Sequence, residues 1–374
     1  MKLTFKGSPQ PTVGIELELQ VLDPETKNLV SGAPRILERM HDSAHIKPEL
    51  IESTIELNTD VCADVPAVRS ELRQRIGELL RVCDEAGYEL ASAGTHPFAK
   101  WSEQQITRKE RYQMLVDRCQ WPARRLMIFG LHVHVGVENG EKAIAVFNTL
   151  TTYLPHLLAL SASSPFFTSL DTGLASSRIK VFESLPTAGL PYRLRDWAEF
   201  QRFIVTLVNA RAIESVREVW WDVRPHPDFG TIEVRICDGL PTLDEVLAVT
   251  ALIQALVVWI GEQYDERTRL PLQRDWIVRE NKWRAARWAT AAEIIVDEKG
   301  RLQRLSESIE VLLESIRPVA NRLGSAAELA LIDEILRRGP SAERQRAVYE
   351  KTGNFKKVME QLVQEFRESV ERSA

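Results

Sequence analysis

The chain has 374 residues, of which 44% are hydrophobic and 27% charged, with a formal net charge of -5. A chain this long buries most of its unfolded surface and needs no disulfide or structural metal to fold. Its acidic balance excludes the basic footprint by which proteins grip nucleic acid, although a local basic pocket is compatible with it.

Cys62, Cys83, Cys119 and Cys237 are scattered with no paired spacing, which reads as reduced thiols in a cytoplasmic protein. Residues 1–10 lack the apolar core of a signal peptide. The most apolar stretch, 248–260, is interrupted by Thr250 and Gln254 and is too short to span a bilayer. A soluble protein with no membrane partner is expected.

Residues 13–21 alternate strictly and predict a strand, followed by a loop with Asp23, Pro24 and Asn28 and a second strand around 51–59. Val68, Leu72, Ile76, Leu79, Leu80 and Cys83 set a helix over 65–86 that Gly87 closes. A short strand at 88–93 leads into the turn at Gly94, Thr95, His96 and Pro97. A helix over 108–125 breaks near Pro122, a strand occupies 126–137, and apolar helices cover 141–162, 197–211 and 243–264, with a strand at 231–238. From 303 onward the chain reads as charged helices, with breaks at Pro318, Gly324 and Gly339-Pro340. The strands alternate in polarity, unlike the apolar runs of a buried parallel sheet, so an α+β fold with a largely antiparallel sheet is expected. No repeat or linker divides the chain. It is read as one catalytic domain, with a sheet-and-helix core over 1–300 and a C-terminal helical extension over 301–374 packed on it.

Period two assigns each strand two faces. In the first strand Val13, Ile15, Leu17 and Leu19 oppose Gly14, Glu16, Glu18 and Gln20. In the second, Ile51, Ile55 and Leu57 oppose Glu52, Thr54, Glu56 and Asn58. In the third, Leu131, Val133, Val135 and Val137 oppose Gly130, His132, His134 and Gly136; in the fourth, Ile232, Val234 and Ile236 oppose Thr231, Glu233, Arg235 and Cys237.

Any one of these polar faces reads plainly as a solvated surface. Together they carry five glutamates, two histidines and one arginine, with no lysine. Carboxylates crowded into one space need protons or cations between them, and hard oxygen ligands suit magnesium or manganese. Glu16 and Glu18 would sit ~7 Å apart at their Cα atoms, from a strand rise of ~3.3 Å per residue. The HxH spacing of His132 and His134 is also a zinc signature, which keeps a zinc site open. There is no GxxxxGK[ST] loop, no GxGxxG and no GxSxG elbow, so neither a glycine-loop nucleotide site nor a serine nucleophile is indicated.

Six motifs occur in order: GIELE at 14–18; Glu52-Ser53 with Glu56; GTHPF at 94–98; GLHVHVG at 130–136; Asp171-Thr172-Gly173 through Arg178; and GTIEVR at 230–235. The ordered set resembles the bacterial carboxylate–amine ligases of the glutamate–cysteine ligase type 2 family. That resemblance implies a glutamine-synthetase-like fold, in which a curved antiparallel sheet forms a funnel around magnesium ions. It also implies that ATP phosphorylates the γ-carboxylate of glutamate and that the amine of cysteine then displaces phosphate. The partners implied are glutamate, an amine such as cysteine, and ATP, with a homodimer left open.

By motif, the resemblance assigns metal contacts to Glu16, Glu18, Glu49, Glu56, His132 and Glu233. Glu49 has the opposite parity to Glu56 and fits only if the strand starts late or bulges. His134 is placed as a site-lining residue, and Arg235 and Glu233 as the catalytic pair, with Arg235 clamping the transferred phosphoryl. Arg178 is expected as a second phosphate or substrate clamp and Arg224 as a partner for the substrate α-carboxylate. Thr95 and His96 read as lining the nucleotide or glutamate site, or His96 as capping a turn. Arg279, Trp283 and Arg287, one helical turn apart, read as a nucleotide stack or, more plainly, as a packed helix with exposed arginines. A di-metal zinc hydrolase built on His132, His134 and the glutamates stays open, as does a non-catalytic MgATP-binding relative.

Overall fold

The alternating segment near the N-terminus forms β1 (Val13–Leu22), the strand around which the main sheet is built. The computed structural model describes residues 3–40 and 44–372; Met1 and Lys2, which open the segment read above as lacking a signal core, lie outside it. The other strands of the sheet are β2 (Ile46–Pro48), β3 (Thr54–Asn58), β4 (Glu89–Ala91), β5 (Gly130–Gly136), β6 (Val223–His226) and β7 (Thr231–Asp238). They run in the order β2-β3-β1-β5-β7-β6, with β4 beside the C-terminal end of β1. Every pairing is antiparallel, as the alternating polarity predicts.

The longer helices are α1 (Val65–Ala86), α2 (Glu110–Cys119), α3 (Gly140–Leu150), α4 (Leu154–Ser161), α5 (Trp197–Asn209), α6 (Leu243–Asp265) and α7 (Asp275–Trp288). The C-terminal region adds α8 (Leu305–Arg322), α9 (Ala326–Arg338), α10 (Ser341–Thr352) and α11 (Phe355–Arg372). Leu17, Ile55, Leu131, Val133 and Val234 point from the sheet into one core shared with α1, α3, α4 and α6. The bounds of α1 match the sequence reading because its ends are chemically marked. The Asp64 side chain accepts the Ala67 N–H at 2.8 Å, and Gly87 closes the helix at φ +80°.

Several expectations are corrected. The strand predicted over 51–59 narrows to β3, and a separate strand, β2, precedes it and pairs with it through the connection at residues 49–53. The helix over 141–162 is split by a 3-10 turn before α4, where Pro155 enters the first turn and cannot continue the ladder. Pro318 lies inside α8 and does not end it. Strand β6 is absent from the prediction because Pro225 argues against a strand; it forms at the sheet edge, where proline is tolerated. Helix α6 is 23 residues and apolar enough to cross a membrane, so length does not exclude a span as expected; its surface is instead covered by α1, α3, α8 and α9. The apolar run 140–161 passes the same test and is likewise packed in the core.

The fourth strand departs most instructively. Leu131 pairs with Cys237 and Val133 with Val234, leaving Arg235 and Ile236 together opposite His132. This bulge shifts the alternation by one residue. Cys237 therefore joins the core instead of the polar face, and Asp238 comes to lie opposite Gly130.

Candidate active site

The polar face of the sheet floors a cleft of about 1210 Å³. Its walls come from α2, the end of α5 and the segment 211–220 that follows it, with Phe229 at the β6–β7 turn. Glu16, Glu18, Glu49, Glu56, His132, His134, Arg178, Arg224, Glu233 and Arg235 all line this cleft.

Thr95 does not. Its hydroxyl donates to the Phe166 carbonyl at 2.7 Å, and its backbone bridges to Ile128, so it serves the fold behind the site. His96 takes the turn-capping role: Nδ1 accepts the Ala99 N–H at 2.9 Å and Nε2 donates to the Lys27 carbonyl at 2.8 Å. Arg279, Trp283 and Arg287 do not line the cleft either, and Trp283 of α7 lies under the Lys180 ammonium.

Glu49 reaches the floor without the parity conflict anticipated above. Lys47 of β2 sits directly opposite Glu56 of β3, and Glu49 lies two residues beyond Lys47, hence on the same face. Glu49 directly follows β2 while Glu56 lies in β3, so the single-strand parity that set them on opposite faces does not apply.

The floor is a graded electrostatic surface. Glu18 and Glu56 lie directly opposite each other on β1 and β3, the arrangement least favourable for like charges. Burial pushes the Glu56 carboxyl up to about 8, helped by Glu16, Glu49 and Glu18. Burial, then Glu49, raises Glu18 to about 7, although its carboxylate accepts the Gly130 N–H. Burial also raises Glu49.

Glu16 and Glu233 go the other way. Burial pushes Glu16 up, but His132 Nδ1 at 3.0 Å and His134 Nε2 at 3.7 Å outweigh it and hold the carboxyl well below its ordinary range. Burial likewise raises Glu233, and the Arg224 and Arg235 guanidiniums and His134 overturn that. Ligand-capable atoms of Glu16, His134 and Glu233 lie within 4.8 Å of one another. Glu16 and Glu233 of this trio belong to the expected metal set and His134 was expected as lining; His132, expected as a ligand, turns Nδ1 to Glu16.

The three arginines divide the work. Arg224 grips Glu233 from two nitrogens, at 2.6 and 3.2 Å, and its Nη1 donates to the carbonyls of Val216, Arg217 and Val219. So committed, it ties Glu233 to the 211–220 wall and has little left for a substrate carboxylate. Arg178 is 2% exposed and donates to the Ile236 and Arg235 carbonyls at 3.3 and 3.4 Å, pinning the bulge of β7. A Cβ at Gly130 would stand 2.2 Å from its Nη2, which explains the glycine that opens GLHVHVG. Arg235 donates from Nη1 to Glu233, and its buried Nε has no hydrogen-bond partner among the described residues.

Sequence reasoning missed Lys47, Arg111 and Tyr112 in the cleft. Lys47 was findable from its two-residue spacing to Glu49. Arg111, whose guanidinium lies 4.4 Å over the Tyr112 ring, was not, because its placement depends on how α2 docks over β2.

The profile of the glutamate–cysteine ligase family 2 matches residues 12–361. A Frankia alni protein provisionally named glutamate–cysteine ligase 2-1 is 47% identical over 98% of this chain and 97% of its own length. A Thermobifida fusca protein provisionally named glutamate–cysteine ligase 2 is 45% identical over 98% and 94%. The solved glutamate–cysteine ligase of Francisella tularensis in complex with AMP superposes at a TM-score of 0.69 with 12% identity, over 99% of this chain and 90% of that one; at that identity it speaks for the fold alone. An open antiparallel sheet with a chemically loaded face, matched along nearly its full length by these relatives, places the chain in the glutamate–cysteine ligase family 2.

Proposed function

We propose that this protein is an ATP-dependent ligase that joins a carboxylate to an amine, with glutamate as the acid and cysteine as the amine. The observation that carries the reading is the floor of the cleft, where five glutamates and two histidines lie with Arg235 and Arg178. A carboxylate is a poor electrophile, so the reaction needs a phosphoryl leaving group, and phosphoryl transfer is catalysed mainly by positioning and positive charge.

The donor set fits hard cations: two carboxyls raised to about 7 and 8 mark a space that favours neutralisation. Glu16, Glu18, Glu49, Glu56, Glu233 and the histidines would hold magnesium, or manganese in its place, which supplies charge neutralisation at the nucleotide phosphates. Arg235 lines the cleft and would present its guanidinium to the phosphoryl passing to the glutamate γ-carboxylate, while Glu233 keeps that guanidinium in place. Arg178 holds the bulge that aims Arg235, and Arg224 holds Glu233. The amine then attacks the acyl phosphate and phosphate leaves. The reading also implies a single catalytic unit, since core residues from Val13 to Val370 form one cluster.

The test is ADP release from MgATP and glutamate, screened over a panel of amino acids and amines. Cysteine-dependent ADP release with formation of γ-glutamylcysteine is the expected result. MgATP binding without ADP release under any pair would leave a non-catalytic nucleotide binder, and hydrolysis by zinc-loaded protein without nucleotide would establish the hydrolase.

A further inference from the structure

Phe229 is an aromatic ring that the fold holds rigidly in the cleft and leaves uncovered. It is 54% exposed, while most large apolar side chains here are buried. An isolated exposed phenylalanine needs no explanation. This one has three features that do.

Its ring stacks on His226 at 4.1 Å between centroids and 7° between planes, so one face is backed by a second flat ring. The turn that carries it is tied to the N-terminal segment. Gly230 sits at φ +65°, a Cβ there would meet the Lys6 carbonyl oxygen at 1.8 Å, and the Lys6 N–H donates to the Pro227 carbonyl at 2.9 Å. Finally, the ring lies 5.7 Å from that of His134, whose Nε2 is 3.7 Å from Glu16 and 3.9 Å from Glu233. The platform thus stands immediately outside the carboxylate floor, where the base of a nucleotide would lie if its phosphates reach that floor.

We propose that the open face of Phe229, backed by His226, is the stacking platform for the adenine base of ATP. This rests on the ligase reading above and extends it to the nucleotide base. It also replaces the stack on Arg279, Trp283 and Arg287 considered from sequence, since those residues lie off the cleft. Stacking of one base on one aromatic side chain is worth about 5- to 150-fold in affinity.

The experiment measures MgATP and MgADP binding by calorimetry, with steady-state kinetics, for wild type, Phe229→Ala and Phe229→Trp. Phe229→Ala should weaken MgATP binding within that range and raise the KM for ATP in parallel, with kcat and the KM for glutamate changed less than about threefold. Inorganic triphosphate, which has no base, should bind both proteins alike. Phe229→Trp should restore affinity and show quenching of tryptophan fluorescence on MgATP addition. Unchanged MgATP affinity in a folded Phe229→Ala protein, or a loss that triphosphate shares equally, overturns the platform while leaving the ligase reading intact. Failure of the wild type to bind MgATP at all overturns both.

Discussion

Leu17 and Glu18 are chain neighbours in β1 that belong to different regions of the molecule. Leu17 is opposite Leu57 in a fully buried apolar layer, where each contact adds to stability. Glu18 is opposite Glu56, where burial and repulsion raise both carboxyls and each charge opposes the fold. The helices covering one face anchor the strands firmly enough that the other face tolerates this repulsion. The same backbone can hold stability and chemistry because consecutive side chains never meet.

The largest expected effect breaks the comparison from the apolar side. Leu17→Ala should cost about 2–5 kcal/mol of stability, seen as a lower denaturant midpoint, while turnover per folded molecule stays near wild type. A fall in turnover with no loss of stability would mean that the two faces are not separable.

Arg235→Lys attacks the chemical side. Lysine keeps the charge and loses the planar fork, so turnover should fall on the order of 100-fold with MgATP affinity within a few-fold of wild type. A collapse of MgATP affinity with an unaltered phosphoryl-transfer step would place Arg235 in nucleotide binding instead. Glu233→Gln is a poorer probe than its position in the sequence suggests, because it would strand the buried Arg224 and Arg235 guanidiniums.

Glu56→Gln sharpens the contrast, since it should move stability and activity in opposite directions. Removing the repelled carboxylate is expected to stabilise the metal-free protein by about 1–3 kcal/mol at neutral pH while weakening magnesium-dependent turnover. Destabilisation in chemical denaturation would contradict the repulsion argued for this face.

The smallest effect is a pH profile. Glu56 at about 8 and Glu18 at about 7 lie above the ordinary 4.5, so their contribution is lost as pH rises through those values. His96, His132, His156 and His226, held by burial near 4 instead of 6.5, withdraw stability as pH falls below 6.5. The melting temperature of chelator-treated protein should therefore peak near pH 6.5, with limbs of a few degrees on either side, and magnesium should flatten the alkaline limb. A monotonic rise from pH 6 to 8.5 in chelator would go against the polar-face argument.

Much of this was legible in one dimension. The faces of β1 and β5, the bounds of α1 and β7, and every floor glutamate except Glu49 follow from local rules: period two, an aspartate cap, a glycine stop, and an ordered set of motifs. What the tertiary structure decided depends on register and docking between distant segments. Glu49 joins the floor because β2 is a separate strand whose Lys47 faces Glu56. Cys237 leaves the polar face because a bulge held by Arg178 shifts β7 by one residue. Thr95 and the α7 arginines fall away from the cleft, while Phe229 and Tyr112 enter it, because turns and helices dock by long-range packing. Alternation along a strand is local and survives in the sequence; which strand lies beside it, and in what register, is set by pairings between separate segments, such as Glu18 with Glu56 and Leu131 with Cys237.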